Sequence, residues 1–130
     1  APGLTAAAVS PEGKRLLVGR QEGGFVHLWG MDPPAYQSWF EGHTDAVHAA
    51  AFVAGGRTAA TASLDGTVRV WDVEAGKELR RLAHPAGVRA VAVAGDGRLL
   101  TGCDDGVVRL WEADKEREVA RFPGHRGKVT

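Results

Sequence analysis

The 130-residue chain has one cysteine, one methionine and one tyrosine, and no net charge at neutral pH. With Cys103 as the only thiol, an intramolecular disulfide and a multi-cysteine metal site are both impossible, which excludes a secreted disulfide scaffold. Sixteen basic residues balance sixteen acidic ones, and the twelve arginines and four lysines form no dense cluster. Nucleic-acid binders and polybasic membrane-surface binders usually carry a basic excess, so no nucleic acid and no membrane are expected as partners. No apolar run approaches the ~20 residues of a membrane-spanning helix, and the N-terminus does not resemble a signal peptide. The solitary thiol leans towards a cytoplasmic location. Long helices are missing too, because no stretch of 12 residues keeps apolar side chains at i, i+3, i+4 and i+7.

Turns and short strands are what the chain does have. Eighteen glycines and six prolines punctuate runs rich in Val, Leu, Thr and aromatics at 25–29, 47–53, 67–73, 88–93 and 107–111. Val68-Arg69-Val70-Trp71 and Val108-Arg109-Leu110-Trp111 alternate strictly, as a strand with one buried face does. The fold class is all-β. By length the chain is one domain, large enough to bury a core.

The runs recur. Trp29, Trp71 and Trp111 stand 42 and 40 residues apart, each closing an alternating run. Asp65-Gly66-Thr67-Val68-Arg69-Val70-Trp71-Asp72 is matched by Asp105-Gly106-Val107-Val108-Arg109-Leu110-Trp111-Glu112. Gly42-His43 returns as Gly124-His125, with Ala83-His84 halfway between. A period near 41 residues containing Gly-His and Trp-Asp resembles the WD40 repeat, in which each repeat supplies one four-stranded antiparallel blade of a β-propeller. In that register the blades span about 3–42, 43–83 and 84–124, and 125–130 begin a next one. Strands are expected at 4–9, 15–20, 25–30 and 35–41, at 46–53, 58–63, 67–73 and 78–83, and at 87–94, 98–103, 107–113 and 117–123. The second hairpin of each unit turns at Gly-Gly or Asp-Gly, which tolerate positive φ.

The resemblance implies a bracing set in two units: His43, Thr61, Asp65 and Trp71, then His84, Thr101, Asp105 and Trp111. Asp would hold one ring nitrogen of His, Thr the other, and the Thr oxygen would accept from the indole N–H, since buried polar groups need partners. Thr61, His43 and Asp65 also read as a hydrolase triad. A catalytic site needs only one copy, however, and the Trp donor would occupy the nucleophile, so a structural role is expected and no enzyme activity. Unit one lacks the set. Counting six and ten residues back from Trp29 gives Gly23 and Gly19, and Gly30 follows the Trp. That unit carries extra aromatics in its outer strand, Tyr36, Trp39 and Phe40, read as packing residues.

Other chemistry is sparse. Acidic Asp104 and Asp105 beside Cys103 argue against a reactive thiolate, leaving a semi-buried strand residue. His27 is read as an exposed strand residue on the face opposite Trp29. The histidines lack metal-ligand spacing, and Gly23-Gly24 and Gly55-Gly56 lack the following Lys-Ser/Thr of a phosphate loop, so neither metal nor cofactor is expected.

Three blades leave two apolar sheet faces uncovered. Taken as a complete chain, the three units are expected to associate head to tail with identical copies, six blades from a dimer being favoured over nine from a trimer. The resemblance further implies a rigid, non-catalytic platform binding peptides or proteins on its top face. The corresponding positions are Ala46, His48 and Leu64 in unit two, and Gly87, Arg89 and Asp104 in unit three. Thr5 and Glu22 are their counterparts in unit one, with Lys128 at the start of the next blade. Arg89 is the strongest of them, since arginine is favoured at binding hot spots. The alternatives are a purely structural propeller fragment or assembly unit without a ligand of its own and, behind it, an enzyme domain with a channel-facing His/Asp site.

Overall fold

Short β-branched and aromatic runs broken by glycine turns favour antiparallel hairpins, and the chain forms three of these four-stranded units in succession. The computed structural model describes residues 4–20, 24–31, 34–40, 43–53, 57–94, 98–112, 115 and 117–122. The first sheet holds β1 (Leu4–Val9), β2 (Arg15–Arg20), β3 (Val26–Met31) and β4 (Pro34–Phe40). The second holds β5 (Val47–Phe52), β6 (Thr58–Ser63), β7 (Thr67–Asp72) and β8 (Lys77–Ala83). The third holds β9 (Val88–Val93), β10 (Leu99–Cys103), β11 (Val108–Glu112) and β12 (Arg117–Phe122). Within every sheet the strands lie in chain order.

The hairpins between each sheet's second and third strands turn on Gly24, Gly66 and Gly106, with φ of 64°, 88° and 83°. Only glycine adopts this region without strain. Gly24 is also tightly confined, because a Cβ there would lie 2.3 Å from the His43 carbonyl oxygen of the next unit.

Two irregularities repeat. In each first strand one residue is bulged out of the ladder: Thr5 in β1, His48 in β5 and Arg89 in β9. In each outer strand the register slips opposite the tryptophan, leaving Gln37, Leu79 and Val119 without a direct partner residue. A bulge bends its strand and re-aims side chains, and on an outer edge it discourages further strand pairing.

The first strands lie side by side, β1 against β5 and β5 against β9. Leu17, Val26, Leu28 and Phe40 of the first sheet pack on Phe52, Ala59, Trp71 and Val73 of the second, with the Phe40 and Trp71 rings stacked at 5.3 Å. The opposite face of the second sheet, with Ala60, Ala62, Val68, Val70 and Leu82, packs on Val88, Leu99 and Trp111 of the third. Strict alternation predicts one buried face, yet the middle sheet is covered on both. Even Arg69 is buried there, satisfied by Glu78 and Thr67.

Each junction thus joins one kind of face to the other kind, and one of each is left over. On the first sheet Val9, Trp29 and Met31 are exposed, and Trp29 is 38% exposed where Trp71 is 1%. On the third sheet Phe122 and Leu100 are exposed on the face that also carries Val108 and Leu110, the counterparts of Val68 and Val70.

Candidate functional site

The polar chemistry of the fold concentrates at the turn ends of the second and third sheets. In the second, His43 precedes β5, Thr61 lies on β6, and Trp71 on β7. Asp65 sits in the turn between β6 and β7. His43 Nε2 meets the Thr61 hydroxyl at 2.6 Å, and that oxygen accepts from the Trp71 indole at 2.8 Å. His43 Nδ1 lies 2.9 Å from Asp65 Oδ2. The carboxylate is held by further donors: the Thr44 amide at 3.0 Å, the Thr67 amide at 2.8 Å and the Thr67 hydroxyl at 2.6 Å. Burial opposes ionisation of Asp65, but the hydrogen bonds from Thr67, His43 and Thr44 outweigh it and hold the carboxyl at about 2. Burial also pushes His43 below the ordinary imidazole value, with Asp65 pulling in the opposite direction.

The third sheet keeps the His–Thr–Trp part of this arrangement. His84 Nε2 meets the Thr101 hydroxyl at 2.8 Å, and Thr101 accepts from the Trp111 indole at 3.1 Å. The expected Asp105–His84 contact is not made, which corrects the sequence reading. His84 Nδ1 donates instead to the Leu82 carbonyl at 3.0 Å, and Asp105 accepts from Arg109 Nη2 at 2.6 Å. Two substitutions between the repeats account for the difference. Pro85 stands where Thr44 supplies an amide, and proline has no N–H to give. Val107 stands where Thr67 supplies a hydroxyl. Of the amide and hydroxyl donors that Thr44 and Thr67 give Asp65, Asp105 keeps the counterpart of one, the Val107 amide at 3.0 Å. Arg109, followed by a weaker opposing effect of burial and then the Val107 amide, holds that carboxyl at about 2. Both substitutions are visible in the sequence to a reader who compares the positions after His and after the Asp-Gly pair.

Unit one is displaced by one residue. The partner of His27 in the ladder is Val18, whereas Thr61 and Thr101 face Arg69 and Arg109 two residues before their tryptophans. Val18, not Gly19, therefore fills the Thr position, because the β2–β3 connection is one residue longer. Gly19 instead lies where a Cβ would come within 2.7 Å of Val47 Cγ1. Gly23 lies outside the described residues. His27 and Trp29, two apart in a regular ladder, share a face rather than opposing ones. Cys103 is fully buried and takes the place of Ser63: its thiol donates to the Ala86 carbonyl at 3.4 Å, as the Ser63 hydroxyl does to Asp45 at 3.0 Å.

Four of the expected contact residues come together at one end of the sheets. Arg89 Nε donates to Asp104 Oδ1 at 2.7 Å, and the Asp104 amide donates to the Gly87 carbonyl at 2.8 Å. A Cβ on Gly87 would lie 3.1 Å from Leu64 and 3.2 Å from Asp104, so the glycine lets these side chains close over the backbone. Arg89 and Asp104 each keep about a fifth to a quarter of their side-chain surface open to solvent. His48 is half-buried on β5. Ala46 is buried and offers a partner nothing but its backbone, whose carbonyl already accepts from the Leu64 amide. Thr5 is described as backbone alone, and Glu22 and Lys128 lie outside the described residues. What sequence reasoning missed is that Thr5, His48 and Arg89 are all bulge residues; broken alternation in Val47-His48-Ala49-Ala50 is the only sign of it. Among the described residues no cluster of His, Cys, Asp and Glu could hold a metal ion.

Comparison with known proteins gives one family. The pattern of the WD domain, G-beta repeat, matches residues 35–72 and 76–112, more than half of the chain. The chain is 34% identical over 82 residues to "Periodic tryptophan protein 2 homolog" of Caenorhabditis elegans, a match covering 63% of the chain and 9% of that protein. It is 35% identical over 81 residues to "Transducin-like enhancer protein 2" of Mus musculus, covering 62% of the chain and 10% of the relative. A third match, 44% identical over 54 residues, is to "Target of rapamycin complex subunit wat1" of Schizosaccharomyces pombe and covers 42% of the chain and 17% of the relative. The chain thus spans about a tenth of the length of the first two relatives. Its repeated blades, each closed by a tryptophan, and these matches together make it a member of the WD40-repeat family.

Proposed function

We propose that the chain is a non-catalytic protein-interaction scaffold that offers partners the sheet end carrying Leu64, Gly87, Arg89 and Asp104. The observation that carries the reading is Arg89 itself: a bulged residue, held through Nε by Asp104, with about a quarter of its side-chain surface open to solvent. Such a side chain is already ordered, so binding costs it little entropy, and arginine is among the residues that anchor interfaces. A hydrolase reading is disfavoured by Thr61, whose hydroxyl is engaged by both His43 and the Trp71 indole and leaves no nucleophile. One relative is named as a subunit of a target of rapamycin complex, in keeping with a scaffold.

The finer reading concerns the two end faces. The face with Val9, Trp29 and Met31 and the face with Leu100 and Phe122 are of the opposite kinds that meet at both internal junctions. Head-to-tail seating of a second copy would cover both and give six blades from two chains. Light scattering behind a sizing column tests this. A discrete dimer supports it; a monomer or an aggregate means that the flanking blades come from elsewhere. The scaffold reading is tested separately by comparing the partners retained by the wild type and by Arg89→Ala and His48→Ala chains of matched thermal stability. Partner sets that do not change sink it.

A further inference from the structure

His84 ties two sheets together. Its backbone N–H donates to the Gly66 carbonyl in the β6–β7 turn at 2.8 Å, while its ring braces the third sheet through Thr101 and Trp111. The ring admits one arrangement of protons. A carbonyl oxygen can only accept, so Nδ1, facing Leu82, carries the hydrogen and Nε2 accepts from the Thr101 hydroxyl. A second ring proton would aim two N–H groups, His84 Nε2 and Trp111 Nε1, at the one Thr101 oxygen. It would also displace the hydroxyl hydrogen and create a cation with no free carboxylate beside it.

The charged groups facing the ring are Arg109 on β11, Asp105 in the β10–β11 turn and Glu118 on β12. Asp105 is bound to Arg109 at 2.6 Å, and Glu118 is shared between Arg109 at 3.4 Å and Arg121 at 2.9 Å. The second sheet meets the same event differently, since Asp65 stands 2.9 Å from His43 Nδ1 to receive the charge.

We propose that His84 is an acid-released joint: its protonation loosens the third sheet from the second, while the carboxylate-backed His43 network stays closed. Burial pushes the His84 ring below its ordinary value, Arg109 adds to this, and the Leu82 carbonyl opposes it. The folded ring therefore binds a proton less readily than the unfolded one. Its stabilising contribution is complete above about pH 6.5 and declines as pH falls below that value.

The test follows the Trp71 and Trp111 indole N–H signals by NMR in the full chain between about pH 7.5 and 5.5, with urea unfolding of the same samples. The Trp111 signal is expected to shift or broaden while that of Trp71 holds. The folding equilibrium constant is expected to fall below about pH 6.5, with His84 contributing up to about tenfold per pH unit and His43, also held below the ordinary value, adding to the fall in wild type and variants alike. The double variant Pro85→Thr/Val107→Thr restores the two donors that hold Asp65, so Asp105 can turn to His84. In it the Trp111 response is expected to shrink to that of Trp71. His84→Gln is expected to abolish the Trp111 response. The proposal is overturned if Trp71 and Trp111 respond together in the wild type, if the double variant keeps the wild-type Trp111 response, or if that response survives in His84→Gln.

Discussion

Asp105 gives its close contact to Arg109, at 2.6 Å, and not to the His84 ring, whereas Asp65, at the same position one repeat earlier, binds His43 at 2.9 Å. Arg69 in the second sheet is only 3.8 Å from Asp65 and gives its close contact to Glu78 at 2.9 Å. The same four residue types thus build a continuous chain in one blade, and in the next a chain of three with the aspartate set apart on Arg109.

Removing the two aspartates should cost different amounts. Asp65→Ala leaves His43, Thr44 and Thr67 without their shared acceptor, a loss on the order of 1–3 kcal/mol. Asp105→Ala removes a carboxylate that is partly open to solvent and leaves the buried Arg109 with Glu118 at 3.4 Å, so its effect should be clearly smaller. Urea unfolding of the two variants checks this, and equal losses would contradict the asymmetry.

Acid should act on Asp65 at low pH. Its carboxyl titrates at about 2 in the fold against 3.8 for the free group, so its contribution is present above about 3.8 and is lost as pH falls towards 2. Asp65→Asn never has that contribution. Melting temperatures of the two proteins between pH 5 and 2 should therefore converge as pH drops.

Two glycines with positive φ should respond unequally to alanine. Gly13, at φ 74°, has nothing within 4 Å of a new Cβ, so Gly13→Ala costs only the backbone strain, about 1 kcal/mol. Gly24→Ala adds a 2.3 Å collision with the His43 carbonyl and should cost at least about 3 kcal/mol. Similar melting temperatures for the two variants would show that the first and second sheets do not approach at Gly24.

The end faces can be probed without disturbing the cores. Phe122→Ser should lower the solution mass if that face is seated against another blade. Leu79→Ser, at an exposed bulge on the rim, should leave the mass unchanged. A shared response to both would assign the association to the rim.

Most of the architecture is legible in the sequence, because the 40- to 42-residue spacing of Trp29, Trp71 and Trp111 sets the register of all three sheets. The strands fall within one or two residues of their expected places. Counting back from a tryptophan fails only in unit one, where one extra residue between β2 and β3 puts Val18 in the Thr position. The partner of Asp105 is missed for a different reason. The residues that choose it, Pro85 and Val107, lie outside the four-residue set and act through an amide and a hydroxyl that are no longer there. Bulges such as the one at Arg89 shift a ladder by a single residue, and a broken alternation in a short strand has too many other causes to identify one.

Both junctions between sheets set one kind of face against the other, and so does any junction made by the two faces left over. A joint of this kind adds units without counting them. The number of blades that completes a circle is fixed by the angle between successive sheets, and a change of packing at the Phe40–Trp71 stack, repeated at each joint, would alter ring size while every contact stayed of the same type. Lengthening such a protein requires only that one unit of the gene be copied in place.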